Sequence, residues 1–263
     1  MAWCIFQFHL NIERIKVMIK PFRWLSVGVV CGILIGCATT VQPTATPEPT
    51  TVPTAINNPQ EAWQQWPTVL TDSFRDNRHK WMVGPLQSGD LTGEFAIGPD
   101  LYQMEMDLNE ISIFPSLMPE YRVDREKGFY VSVEAKSMVK LNSSYGLVFL
   151  SQRKNNAKIV IDINEYYFEI TGNYYRLLYY EQNNWNEIIA STNLPKKSEH
   201  GFDRLGVLVQ GETVTLLFND TYLTDIEVDD LFKSGLFGLV CGAYQPKVSQ
   251  ICEFDNLEVR MPE

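Results

Sequence analysis

The sequence predicts an all-β domain, an antiparallel sandwich or barrel, and three observations carry that reading. Ten or more short segments of alternating or continuous apolar character follow one another through about 195 residues. Turn residues separate them, at Gly128, Asn142, Gly172-Asn173, Asn183-Asn184, Gly211 and Asn219-Asp220. No window repeats its apolar residues at the helical period, and only 228–233 is expected to form a helical turn. Strands that follow each other without intervening helices pair antiparallel, because parallel pairing needs a long crossover.

Taken in order, 102–108 (YQMEMDL) and 129–135 (FYVSVEA) alternate as half-buried strands do. Further strands are expected over 146–150, 158–163, 166–170, 174–180, 186–190, 204–209, 213–218, 236–242 and 251–260. No internal repeat is present, which excludes propellers and solenoids.

Ahead of these strands the chain has a different character. Residues 18–37 place Lys20 and Arg23 before an apolar run from Trp24 to Ile35. That run suits a secretory signal and falls short of the roughly 20 residues a membrane-spanning helix needs. It ends in Leu34-Ile35-Gly36-Cys37, which resembles the lipobox of bacterial lipoprotein signal peptides. The resemblance implies that Cys37 receives a lipid, that 1–36 is removed, and that Met18 is a better start than Met1. The implied location is the outer face of a bacterial cell membrane, with the membrane as a partner through the lipid. From Ala38 to about Asn58 the chain is rich in Thr and Pro and is expected to be a disordered, extended tether. The expected divisions are a signal region (1–36), lipidated Cys37 with its tether (37–66) and a folded domain (67–263).

Composition narrows the function. The chain has 263 residues and a formal charge of −10, from 22 basic and 32 acidic side chains. Such a balance argues against nucleic acid, which needs a basic surface. The segment 1–36 holds Arg14, Lys16, Lys20 and Arg23 against the single acid Glu13, so the remainder is more acidic still.

Three stretches together resemble the concanavalin A-like, or laminin G-like, jelly-roll domains of bacterial surface proteins. They are Asp72-Ser-Phe-Arg-Asp76 with Trp81; the run from Tyr166 through Trp185 to Asn219; and Gly235-Leu-Phe-Gly-Leu239 with Phe254-Asp-Asn-Leu-Glu-Val259. The resemblance implies a two-sheet antiparallel jelly-roll sandwich, and it leaves the activity open because this fold hosts lectins, glucanases and adhesins. Segment 111–125 departs from the pattern, where ISIFPSLMPEYRVDR replaces a more compact connection.

Catalytic relatives carry carboxylates at alternating positions of one strand, similar to Glu-x-Asp-x-x-Glu. The nearest local match is Val160-Ile-Asp162-Ile-Asn-Glu165, whose nucleophile position holds a valine; Glu105 and Asp107 alternate without a third carboxylate. No Gly-x-Ser-x-Gly, His-Glu-x-x-His or phosphate loop is present, and His79 and His200 sit among charged residues. The aromatic cluster from Tyr166 to Trp185 is the main lead to a ligand. Tyr167, Tyr175, Tyr179 and Trp185 could stack on sugar rings with Arg176 hydrogen-bonding hydroxyls, or the same rings could simply pack. The favoured role is therefore non-catalytic binding of a polysaccharide or other glycan, with a glycoside hydrolase or a structural module as alternatives. Cys241 and Cys252 flank a turn symmetrically and are expected either to form a disulfide across a hairpin or to remain buried thiols. Asp72, Asp255 and Asn256 could offer oxygens to Ca²⁺, against a plainer role in strand-end hydrogen bonding.

Overall fold

The computed structural model describes residues 63–88, 91–108, 112–139, 143–153, 164–182, 184–195, 197–198, 201–229 and 231–263. The segment expected to be a signal (1–36), Cys37, the Thr/Pro-rich stretch 38–58 expected to be a tether and the expected strand at 158–163 lie outside them.

Fifteen strands form among the described residues. The first five are β1 (Thr68–Asp72), β2 (Gly84–Ser88), β3 (Leu91–Gly98), β4 (Leu101–Leu108) and β5 (Ser112–Asp124). Next come β6 (Phe129–Ser137), β7 (Ser143–Ser151), β8 (Asn164–Thr171), β9 (Tyr174–Glu181) and β10 (Asn184–Asn193). The last are β11 (Asp203–Gln210), β12 (Thr213–Phe218), β13 (Thr221–Glu227), β14 (Ser234–Ala243) and β15 (Val248–Arg260). They build two antiparallel sheets. One holds nine strands in the order β13-β12-β11-β6-β15-β4-β3-β2, with β1 added alongside β15. The other holds six, in the order β10-β9-β8-β7-β14-β5.

Alternation decides which side chains lie between the sheets. Met104 and Met106 of β4, Val131 and Val133 of β6, Leu147 and Phe149 of β7, and Phe168 and Ile170 of β8 all join one continuous core. Three ties cross that core. The Tyr102 phenol donates to the Met82 carbonyl at 2.7 Å and meets the Ser116 hydroxyl of β5 at 2.8 Å. Tyr145 of β7 donates to Asp203 of β11 at 2.7 Å. The third tie is a disulfide between Cys241 of β14 and Cys252 of β15, with Cα atoms 5.8 Å apart. The two cysteines do flank a turn, but that turn carries the chain from one sheet to the other. The bond is therefore not a cross-strand hairpin pair; it pins sheet to sheet.

Other expectations need correction. Segment 228–233 forms no helix among its described residues: Val228, Leu231 and Phe232 instead tuck apolar side chains against the core. Segment 111–125 is largely β5, a 13-residue strand paired with β14. Its two prolines, Pro115 and Pro119, sit where a sheet tolerates them, because β5 is an edge strand. The folded part also starts before residue 67. Trp63 is buried and stacks on Tyr130 with ring centroids 3.9 Å apart.

The opening Asp-x-Phe and Trp have a structural purpose. Asp72 accepts the Phe74 backbone N–H on one oxygen and the Trp81 indole N–H on the other, both at 2.8 Å. This holds Phe74, at φ 51°, and Trp81 against Tyr102. Both oxygens of Asp72 are thereby engaged inside the core. Asp255 instead interacts with Asn256, whose amide also reaches Glu134. Although β1 does run beside β15, Asp72 of the three residues expected to hold Ca²⁺ turns both its oxygens into the core, while Asp255 and Asn256 bond to each other.

Candidate functional site

The outward face of the six-stranded sheet is the unusual surface of this molecule. An antiparallel sheet commonly leaves its outer face wet, yet β7 is buried along its whole length and β8 along all but its ends. Long polar and aromatic side chains lying on the sheet do the covering.

The register is set by the hairpin between β8 and β9. Thr171 pairs with Tyr174 across the two-residue turn Gly172-Asn173, so odd positions of β8 share a face with even positions of β9. Gly172 takes φ 56°, which a residue without a Cβ adopts freely. Outward on β8 stand Glu165, Tyr167 and Glu169; outward on β9 stand Tyr174, Arg176, Leu178 and Tyr180. Trp185 of β10 pairs with Tyr180 and continues this face.

Two buried carboxylates anchor it. Glu165 receives Arg153 through Nη2 at 2.7 Å and Nε at 3.1 Å, and the Ser151 hydroxyl at 2.7 Å. The Tyr167 phenol donates to the same carboxylate. Burial and this neighbouring charge push the Tyr167 phenol well above its ordinary value. Glu169 receives Arg176 through Nη2 at 3.1 Å and Nε at 3.2 Å, together with the Tyr244 phenol, all on Oε2. Burial raises the Glu169 carboxyl despite the opposing Arg176 charge. The Arg176 guanidinium lies 4.1 Å from the centre of the Tyr244 ring.

Above Glu165 lies an aromatic platform. Trp185 is 43% exposed, and its ring sits 4.6 Å from Tyr180 and 5.1 Å from Tyr167. Tyr174, 49% exposed, stands at the other end of β9.

The five expected ligand contacts divide accordingly. Trp185 is open to solvent. Tyr167 shares its face but lies beneath it, and its hydroxyl is spent on Glu165. Arg176 also shares the face and is committed to Glu169. Tyr175 and Tyr179 point the other way: Tyr175 is buried in the core, and Tyr179 stacks on Tyr166 at 4.7 Å. Those five residues mix two faces, and only the β8–β9 register through the turn separates them. The same register brings Glu165 of the carboxylate motif and Tyr180 of the aromatic cluster to the outward face, together with Glu169, which no sequence motif marks. Arg153 and Tyr244 carry no such local signal, since long-range folding brings them to β8. Asp162 lies outside the described residues.

No family profile matches the sequence, and no curated protein is similar to it. Solved structures are. A Bacillus subtilis protein of unknown function with a galectin-like fold superposes with a TM-score of 0.53 at 10% identity, covering 74% of this chain and 97% of that one. The β-glucanase of Bacillus licheniformis gives 0.53 at 11%, covering 76% and 100%. The κ-carrageenase of Pseudoalteromonas carrageenovora, solved with a κ-carrageenan oligotetrasaccharide, gives 0.53 at 11%, covering 81% and 99%. The fold is a concanavalin A-like jelly roll. At such identities the likeness shows the fold alone, and the chemistry has to come from the site.

Proposed function

We propose that this protein is a cell-surface lipoprotein whose jelly-roll domain binds carbohydrate without cleaving it. The observation that carries the reading is the exposed Trp185 ring, held on Tyr180 and Tyr167 at the open face of the six-stranded sheet. Aromatic faces suit the apolar C–H faces of sugar rings, and the polar groups beside them suit hydroxyls. The β-glucanase and the carrageenase of the same fold act on polysaccharides, which agrees with a glycan as partner.

The carboxylates favour binding over hydrolysis. A nucleophile needs an oxygen free to meet the anomeric carbon, and a general acid needs reach to the glycosidic oxygen. Glu165 is fully buried with both oxygens engaged by Arg153, Ser151 and Tyr167, which leaves Glu169 without a free second carboxylate on β8. The hydrolase reading keeps one point in its favour: the two share a face of one strand, and Glu169 is shifted toward its protonated form. Anchoring through Cys37 follows from the lipobox resemblance and accounts for display outside the cell.

A glycan array probed with the protein tests the binding reading. Stable capture that Trp185→Ala weakens tenfold or more is expected, a loss of about 1.4 kcal/mol or greater. Release of reducing sugar from a captured glycan, abolished by Glu169→Gln, would transfer the assignment to the hydrolase. Radiolabelled palmitate should enter the wild-type chain in a bacterial host and not the Cys37→Ala variant.

A further inference from the structure

One end of the same face holds three oxygen atoms that find no hydrogen-bond partner among the described residues: Glu169 Oε1, Ser144 Oγ and Thr171 Oγ1. Register brings them together. Ser144 of β7 pairs directly with Thr171 of β8, and Glu169 lies two residues along β8 on the same side. Alternation and strand spacing confine them to a patch about 7 Å long. Two glycines keep the patch low. Opposite Glu169 stands Gly146, where a Cβ would fall 2.1 Å from the Phe168 carbonyl oxygen. A Cβ on Gly242 would fall 2.9 Å from Ser144 Oγ itself.

Such a cluster is costly. A buried polar atom left unpaired loses about 1–3 kcal/mol of hydration that nothing returns. The donors at hand pass Oε1 by: Arg176 and Tyr244 both converge on Oε2. Tyr244 covers the patch from a bend just beyond the end of β14, so its ring can turn aside without breaking a strand ladder.

The geometry points to a recessed subsite for neighbouring hydroxyls of a neutral sugar, formed by Glu169, Ser144 and Thr171 beneath Tyr244. One sugar hydroxyl donates to Glu169 Oε1, and the next exchanges hydrogen bonds with the Ser144 and Thr171 hydroxyls, which both donate and accept. A neutral sugar fits because the two arginines that meet the carboxylates of β8 are already matched: Arg153 by Glu165, and Arg176 by Glu169 and Glu187. No free positive charge remains among them to hold a sulfate or a uronate. This subsite deepens the binding reading and rests on it, since Trp185 supplies the stacking.

The test uses the full chain in detergent against β-glucan, mannan and levan oligosaccharides, with alginate and carrageenan oligosaccharides as the acidic arm. Capture of a neutral glycan is expected. Ser144→Ala and Thr171→Val should each weaken it five- to tenfold while leaving the melting temperature unchanged or raised, because each removes an unpaired hydroxyl. If both variants bind like wild type while Trp185→Ala fails to bind, the subsite is wrong and the binding reading stands. A lowered melting temperature in both variants makes the hydroxyls structural and overturns the subsite. Capture of acidic glycans alone overturns the assigned ligand class. If wild type captures no glycan, both readings fall together.

Discussion

Glu165 has no contact with solvent, yet its carboxylate is met by a guanidinium and two hydroxyls. Removing one partner of a buried pair strands the other charge, which typically costs about 3–5 kcal/mol. Arg153→Ala should therefore lower the free energy of unfolding by about that amount, read from urea titrations. A loss below about 1 kcal/mol would show that the pair contributes only as a surface bridge does. Glu169 makes a different prediction. Its carboxyl is raised by burial, so the folded protein keeps this proton at a pH where the unfolded chain has released it. The residue thus favours folding most below the ordinary carboxylate range and progressively less as pH rises through its raised value. Glu169→Gln should flatten that slope, so that the stability of the variant relative to wild type rises as the pH climbs above the ordinary carboxylate range. An identical pH profile in both proteins would exclude it. The aromatic cluster was legible in the sequence, but its two faces were not. Tyr175 and Tyr179 look like Tyr180 in a list of residues, and only their pairing across Gly172-Asn173 sends them inward.

Among the elements, strands whose one face enters the core announced themselves by alternation, as β4 and β6 did. Three of those that escaped notice had a local reason. Strand β2 contains Gly84 and Pro85, β5 contains two prolines, and β13 is half exposed at a sheet edge, so its apolar pattern is diluted. Pairing partners remained hidden because they depend on contacts distant in sequence: β15 meets β4, β6 and β1 along its 13 residues. The same gap misplaced the disulfide. Symmetry about a turn is shared by a hairpin and by a sheet-to-sheet corner, and the chain makes the second. With its ends 11 positions apart in the sequence, the bond restricts the unfolded chain by about 3 kcal/mol in the loop-entropy picture. Replacing both cysteines with alanine should lower stability by about 2–4 kcal/mol in chemical denaturation, without loss of glycan capture. A variant as stable as wild type would refute a structural role for the bond.

At the scale of the molecule, two sheets joined through Tyr102–Ser116, Tyr145–Asp203 and Cys241–Cys252 form a firm support, and the proposed binding surface lies on the outside of one of them. Strand β10, which carries Trp185, has a second property. It ends its sheet, spans ten residues, contains no proline and has Glu187 as its one ionised side chain. Regular edges of that kind recruit strands from other copies of the same chain. The register of β10 against β9 shifts between Glu187 and Ile189 and again between Ile189 and Thr192. These irregularities twist the open edge out of the plane that an incoming strand would need. Deleting Ala190 should smooth the second of them, and static light scattering should then climb with concentration where the parent chain stays clear. Equal scattering from both would mean that the edge is guarded in another way. Where scattering climbs as expected, strand β10 owes its solubility to being slightly out of step with its neighbour.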